Sequence, residues 1–165
     1  GLSDKISTLE GSMDKLPFKS ETFDIMWAEG AIYNIGFDNG IKIWKNYLKS
    51  GGYLVLSEIT WLTNSRPRQL EEFWNQEYPE ISTAANKIEI LEKHNLTLEG
   101  YFNLAPQSWI ENYYKPLDAK FTSFLKRHNN SKLAIKVVED CKAEISLYKQ
   151  YKAYYSYGFY IARKN

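Results

Sequence analysis

The chain has 165 residues, room for one domain with a true core but not comfortably for two. Its 21 basic and 20 acidic side chains leave a formal charge of +1, which excludes a strong electrostatic pull toward nucleic acid or anionic lipid. A single cysteine and two histidines exclude a disulfide framework and argue against zinc, and no apolar run reaches the ~20 residues that cross a bilayer. No signal peptide opens the chain, so the expectation is an intracellular, cytoplasmic protein. Aromatic residues make up 16%, with 13 tyrosines, which suits either a pocket for something flat or greasy or a tyrosine-rich core. The chain opens at Gly1-Leu2 without an initiator methionine and reads as a piece of something longer.

In chain order, residues 6–10 are a short strand candidate ended by Gly11, and residues 12–18 form a loop in which Pro17 keeps Leu16 from helical angles. Residues 23–28 are an apolar strand. Ile41, Trp44, Tyr47 and Leu48 then recur at the spacing of one helix face, and Ser50-Gly51-Gly52 is read as the stop of that helix. Residues 53–59 are a second apolar run. Strand, helix and strand within ~35 residues is a βαβ unit, whose near-continuous apolar strands suit a parallel sheet covered on both faces. Both strand ends then point to one sheet edge, where open α/β folds bind ligands.

Pro67 suits the first turn of a helix burying Leu70, Phe73 and Trp74, which Pro79 ends. Ser82 or Thr83 caps a further helix with Ala84, Ala85, Ile88 and Leu91 inward, closed by His94-Asn95. Residues 96–104 read as a strand. Ser108 to Glu111 has the form of a capping box, and helices follow at 117–127 and from Ser131. Residues 155–162 are a last strand by β propensity, before a basic tail. Neither His94 nor His128 has a sequence partner that suggests a metal or a triad.

Gly11-Ser12-Met13-Asp14 just after a strand candidate, then Leu-Pro-Phe and a Phe-Asp strand, resembles the class I S-adenosylmethionine-dependent methyltransferases of the small-molecule branch. The resemblance implies an α/β, partial Rossmann-like fold: a mostly parallel open sheet with an antiparallel last strand and helices on both faces. It implies S-adenosylmethionine as cofactor, with Asp14 accepting from the adenine amino group, Met13 packing on the ring, and Ser12 nearby. A carboxylate only accepts and that amine only donates, so the pair is chemically matched. Ala28 and Glu29 fall where the methionine half of the cofactor is expected. Tyr33 and Asn34 fall where it meets the acceptor, an aromatic face attracting a sulfonium cation. If a base is needed, Glu29 or Tyr33 is the choice.

Glu58, near the end of its strand, is a candidate acceptor contact or half of a structural pair. Trp109 and Tyr113 lie in a helical stretch, residues 106–152, longer than the corresponding connection of the resembled enzymes; it reads as a lid insertion bearing on a small-molecule acceptor or as a packing layer. No metal site, nucleic-acid partner or membrane partner is implied. The resemblance covers the chain as one domain, the later two-thirds of such an enzyme. The family's first strand, glycine-rich turn and ribose-gripping acid would precede Ile6, so weak cofactor binding by the isolated chain is expected. The strand at 23–28 would have an unpaired edge, giving a homodimer there or a cover formed by residues 6–10. The alternatives are a non-catalytic α/β binding or scaffold domain, and a fragment of a nicotinamide-dependent oxidoreductase.

Overall fold

A computed structural model describes all residues, 1–165. Five strands form one sheet in the order β1-β2-β5-β4, with the two-residue β3 paired to β2. β1 (Phe23–Glu29) and β2 (Leu48–Trp61) run parallel, from Phe23 opposite Leu48 to Glu29 opposite Ser57. Between them the chain makes a 3₁₀ turn, Ile32–Ile35, and helix α1 (Phe37–Trp44), which completes the expected βαβ unit. β3 (Ser82–Thr83) is also parallel to β2. The last strand, β5 (Tyr155–Lys164), meets β4 (Leu96–Asn103) at Asn165–Asn95 and at Leu104–Tyr157, the opposed sense of an antiparallel pair. The α/β, mostly parallel architecture with an antiparallel last strand is therefore as read from the sequence.

Residues 6–10 form no strand; they are irregular and exposed after a 3₁₀ turn at Ser3–Lys5, so they do not cover the edge of β1. The helix of the βαβ unit stops at Trp44, and Leu48 already belongs to β2, so Gly51-Gly52 is strand rather than helix cap. Their conformational role lies in the ladder. The register shifts between Phe23 and Ile25, Gly51 takes φ +76°, and a Cβ on Gly52 would stand 3.0 Å from the carbonyl oxygens of Asp24 and Lys49.

The chain divides into two compact units. The first comprises residues 1–58, 87–101 and 160–165. Its buried side chains include Ile32, Phe37, Ile41, Trp44, Leu54, Leu56, Leu91 and Tyr160. Each fully buried Ile, Leu or Phe contributes roughly 1.5–3 kcal/mol. Helix α3 (Ala84–Lys93) buries Leu91 as expected, but Lys87 is also only 1% exposed, its ammonium 4.3 Å from the centre of the Phe37 ring. His94, just past α3, sits 2.5 Å from the Asp38 carboxylate of α1, which holds the Asp38 carboxyl below its usual range.

The second unit comprises residues 59–86 and 102–159. It contains α2 (Arg68–Glu77), the helical run α4 (Pro106–Trp109), a π-helical turn (Ile110–Tyr114) and α5 (Lys115–Asp118), then α6 (Phe121–Arg127) and α7 (Lys132–Tyr151). Ser131 caps α7, its hydroxyl accepting from the Ala134 N–H at 3.3 Å. The capping box read at Ser108 is absent: α4 begins at Pro106, and the Ser108 N–H donates to Ala105. The core of this unit is aromatic. Trp109 lies between Tyr148 and Tyr157, ring centres 4.7 and 5.2 Å away, both stacked. No helix is long and apolar enough to cross a membrane.

Candidate functional site

The first unit carries a groove of about 490 Å³ whose lining includes Met13, Leu16, Met26, Ala28, Glu29 and Trp44. Three of the sequence candidates, Met13, Ala28 and Glu29, are thus brought together. One wall is the 12–18 loop. It turns at Ser12, whose carbonyl accepts from the Lys15 N–H at 3.1 Å, while the Ser12 hydroxyl donates to the Asp14 carboxylate. Ser12 and Asp14 flank Met13 and are exposed; neither lines the groove.

This loop has no sheet or helix of its own to hold it, and α1 with the turn behind it supplies the anchors. The Trp44 indole N–H donates to the Met13 carbonyl at 2.8 Å, and the Tyr47 hydroxyl donates to the Leu16 carbonyl at 3.1 Å. Both anchors escape sequence reading, because a side chain bonded to a carbonyl 31 positions away leaves no local signature. The only hint is the placement of Trp44 on the inner face of its helix.

The opposite wall is the end of β1 and the turn after it. Gly30 takes φ +51°, and its N–H donates to both the carbonyl at 3.0 Å and the hydroxyl at 3.1 Å of Ser57, which ties the turn to β2. Glu29 accepts from the Trp27 indole at 2.7 Å, an i,i+2 pair on one side of the strand. The Asn34 amide donates to the Ala31 carbonyl at 2.9 Å; Ala31 lines the groove and Asn34 does not. Tyr33 is exposed on the same 3₁₀ turn. Glu58, one residue beyond Ser57, is 1% exposed.

Trp109 and Tyr113 belong to the second unit. Trp109 is buried and its indole donates to the Ser156 hydroxyl at 3.1 Å, which passes the bond on to the Leu104 carbonyl at 2.8 Å. Tyr113, on the π-helical turn, keeps half its surface in solvent; partial burial and the neighbouring Glu144 push its phenol up. No group of three or more His, Cys, Asp or Glu side chains is arranged to hold a metal ion.

Two thioethers, two indoles, two phenyl rings and aliphatic side chains, with the Glu29 carboxylate among them, suit a flat, amine-bearing heterocycle. A glycine-rich turn between strand and helix, which would approach a ribose, is not among these residues.

Residues 2–56 match the family described as "Methyltransferase domain". A sarcosine/dimethylglycine N-methyltransferase of Aphanothece halophytica is 36% identical over 61 residues, 35% of this chain and 21% of that protein. Among solved structures, a SAM-dependent methyltransferase of Geobacter sulfurreducens in complex with S-adenosyl-L-homocysteine is similar at a TM-score of 0.80 and 12% identity, over 99% of this chain and 66% of that one. The [4+2]-cyclase SpnF is similar at 0.74 and 20% identity, over 99% and 57%. The chain therefore spans under two thirds of the length of each of these proteins, and at these identities the structural likeness defines the fold.

Proposed function

We propose that this chain, whose fold is that of the class I methyltransferases and whose residues 2–56 match the methyltransferase-domain family, works in a protein that transfers a methyl group from S-adenosylmethionine to a small-molecule acceptor. The observation that carries the proposal is the convergence of the 12–18 loop and the end of β1 on one groove. There Met13 packs on the adenine ring, Asp14 accepts from its amino group, and Ser12 keeps the Asp14 carboxylate in place. Ala28 and Glu29 face the methionine half. The bound cofactor supplies an activated methyl on a sulfonium. What the residues add is alignment and exclusion of water, with Tyr33 offering an aromatic face to the cation and Glu29 the nearest carboxylate for a proton.

Asn34 and Glu58 of the first unit are assigned to the acceptor side; Trp109 and Tyr113 belong to residues 106–152, the segment proposed as a helical lid insertion. Trp109 acts there through packing, since its ring faces are covered by tyrosines, whereas Tyr113 presents an open edge. The test is titration with S-adenosylhomocysteine and with adenosine, followed by NMR. Weak binding of both, shifting the Met13 methyl and Trp44 indole signals and lost in Asp14→Ala, is expected. Shifts confined to other residues would remove the adenine assignment, and tight binding would show that no further ribose contact is needed. A non-catalytic domain would leave both signals unmoved.

A homodimer along β1 belongs to the same proposal. β1 is the end strand of the sheet, and Ile25 and Trp27, which also line the groove, are 57% and 66% exposed on it. An unpaired apolar edge is a template for another strand. Light scattering is expected to show mass rising with concentration, and Trp27→Lys to abolish the rise; a monomer at every concentration removes this part.

A further inference from the structure

A second groove, of about 490 Å³, lies wholly within the second unit, between the helical run 106–118 and α7. Nothing in the methyl-transfer proposal uses it. Its floor is Tyr114 and Ile145, both buried, and the Tyr114 hydroxyl is turned to Glu144 at 3.0 Å, so the ring rather than the phenol faces a ligand. On α7, Lys142, Ser146 and Lys149 follow at i, i+4 and i+7, one face of the helix, and all three line the groove. On the facing wall, Glu111 is neutralised by Lys115 at 3.0 Å, and Asp118 is the remaining carboxylate. The donors Lys142, Ser146 and Lys149 thus lie together on the α7 side, with Asp118 on the facing wall and the Glu144 carboxylate taken up by the Tyr114 hydroxyl. Lys142 lies 5.9 Å from the Phe121 ring centre, at the outer reach of a cation–π contact.

The wall itself is unusual. The run from Pro106 to Asp118 widens into a π-helical turn at Ile110–Tyr114, where the Lys115 N–H bonds to the Ile110 carbonyl. Pro116 explains the departure from α geometry, since it has no N–H for the carbonyl four residues before it. The widened turn places Glu111 and Tyr114 on the groove. Such single turns occur mostly within helices and often at functional sites.

We infer that this groove binds a small organic anion, its carboxylate or phosphate held by Lys142, Ser146 and Lys149 and its apolar body lying on Tyr114 and Ile145. The ammonium groups and the hydroxyl are all donors, and charge-assisted bonds are the strong ones. The floor requires an organic body rather than a bare ion.

The test uses the whole chain and four probes followed by NMR: benzoate, phenyl phosphate, inorganic phosphate and benzyl alcohol. Saturable shifts of residues 142–149 are expected with benzoate or phenyl phosphate, the better of the two identifying the head group. Weaker binding is expected for inorganic phosphate and none for benzyl alcohol. Lys142→Ala combined with Lys149→Ala weakens the better probe about tenfold or more, while Lys126→Ala, an exposed lysine on α6, leaves it unchanged. Both groove lysines are exposed, so near-ultraviolet circular dichroism of the double variant should match the parent. Absence of saturable shifts at 142–149 with either organic anion overturns the inference. So does an equal loss in Lys126→Ala, which would mean unspecific charge attraction, or binding of benzyl alcohol as tight as that of the anions.

Discussion

Tyr148 and Tyr114 lie 5.3 Å apart, ring centre to ring centre, in one aromatic core, yet their hydroxyls are treated differently. The Tyr148 hydroxyl is buried with no hydrogen-bond partner, while Tyr114 donates to Glu144 at 3.0 Å. An unmet buried hydroxyl costs roughly 1–3 kcal/mol, and a made bond contributes roughly 1 kcal/mol or more when its acceptor is a carboxylate. Tyr148→Phe keeps the stack on Trp109 and is expected to stabilise the protein by about 1 kcal/mol, whereas Tyr114→Phe is expected to destabilise it by about 1–2 kcal/mol. Urea denaturation of both variants reads the two signs, and a loss of stability in Tyr148→Phe would show that its hydroxyl is satisfied in solution. At this scale the sequence is only partly legible. Ala28 and Glu29 reach the groove because β1 ends there, and Met13 because Trp44 and Tyr47 tether its loop. Trp109 has the same composition signal as a ligand-stacking aromatic, and only tertiary packing shows its faces taken by Tyr148 and Tyr157.

The helix between β1 and β2 shows what periodicity can and cannot supply. Its inner face, Ile41 and Trp44, is legible from spacing, and so are the two apolar strands it joins. Its end is not, because the register shift that takes in Gly51-Gly52 is decided by pairing with Phe23 and Ile25 in another strand. Residues 6–10 have strand-like composition but no strand beside them, and without a ladder the segment stays irregular. Lys87 is misplaced on a polar face by any pattern reading, since its burial depends on the Phe37 ring from a distant helix. Gly40 is a sharper case. Alanine is preferred to glycine in a helix by about 1 kcal/mol, so propensity alone favours Gly40→Ala. A Cβ there would stand 2.4 Å from Cγ1 and 2.7 Å from Cδ1 of Ile32, inside any real contact, with the Ile35 side chain at 3.3 Å behind it. Overpacking of this kind costs about 1–3 kcal/mol, and the net expectation is destabilisation. Equilibrium unfolding of Gly40→Ala checks it; a raised midpoint would mean the 3₁₀ turn carrying Ile32 moves away freely.

For the molecule as a whole, the fold class is legible because strands, helices and their order are set by patterns a few residues long. The division into two compact units is not, since Glu58 and Ile59 are neighbours in one strand and nothing local marks the change. The tyrosine content does forecast a global property once burial is known. Burial first, then the negative charge of Glu144, pushes the phenols of Tyr114 and Tyr155 up, and burial alone pushes Tyr148 up to about 12. These groups are neutral when folded and ionise near 10 when unfolded. The folded state therefore binds more protons than the unfolded state above pH ~10, and stability must fall as pH rises. Their contribution is fully present below the unfolded value and is lost as pH climbs from ~10 through the folded values, the Tyr148 step lying near 12. Denaturation midpoints are expected to be level from neutrality to about pH 9 and to decline steadily beyond about pH 10. At the phenolate band, Tyr114, Tyr148 and Tyr155 should contribute only as the chain unfolds. A single titration of all tyrosines at the ordinary value, with the fold intact, would mean that the aromatic core opens to water without unfolding.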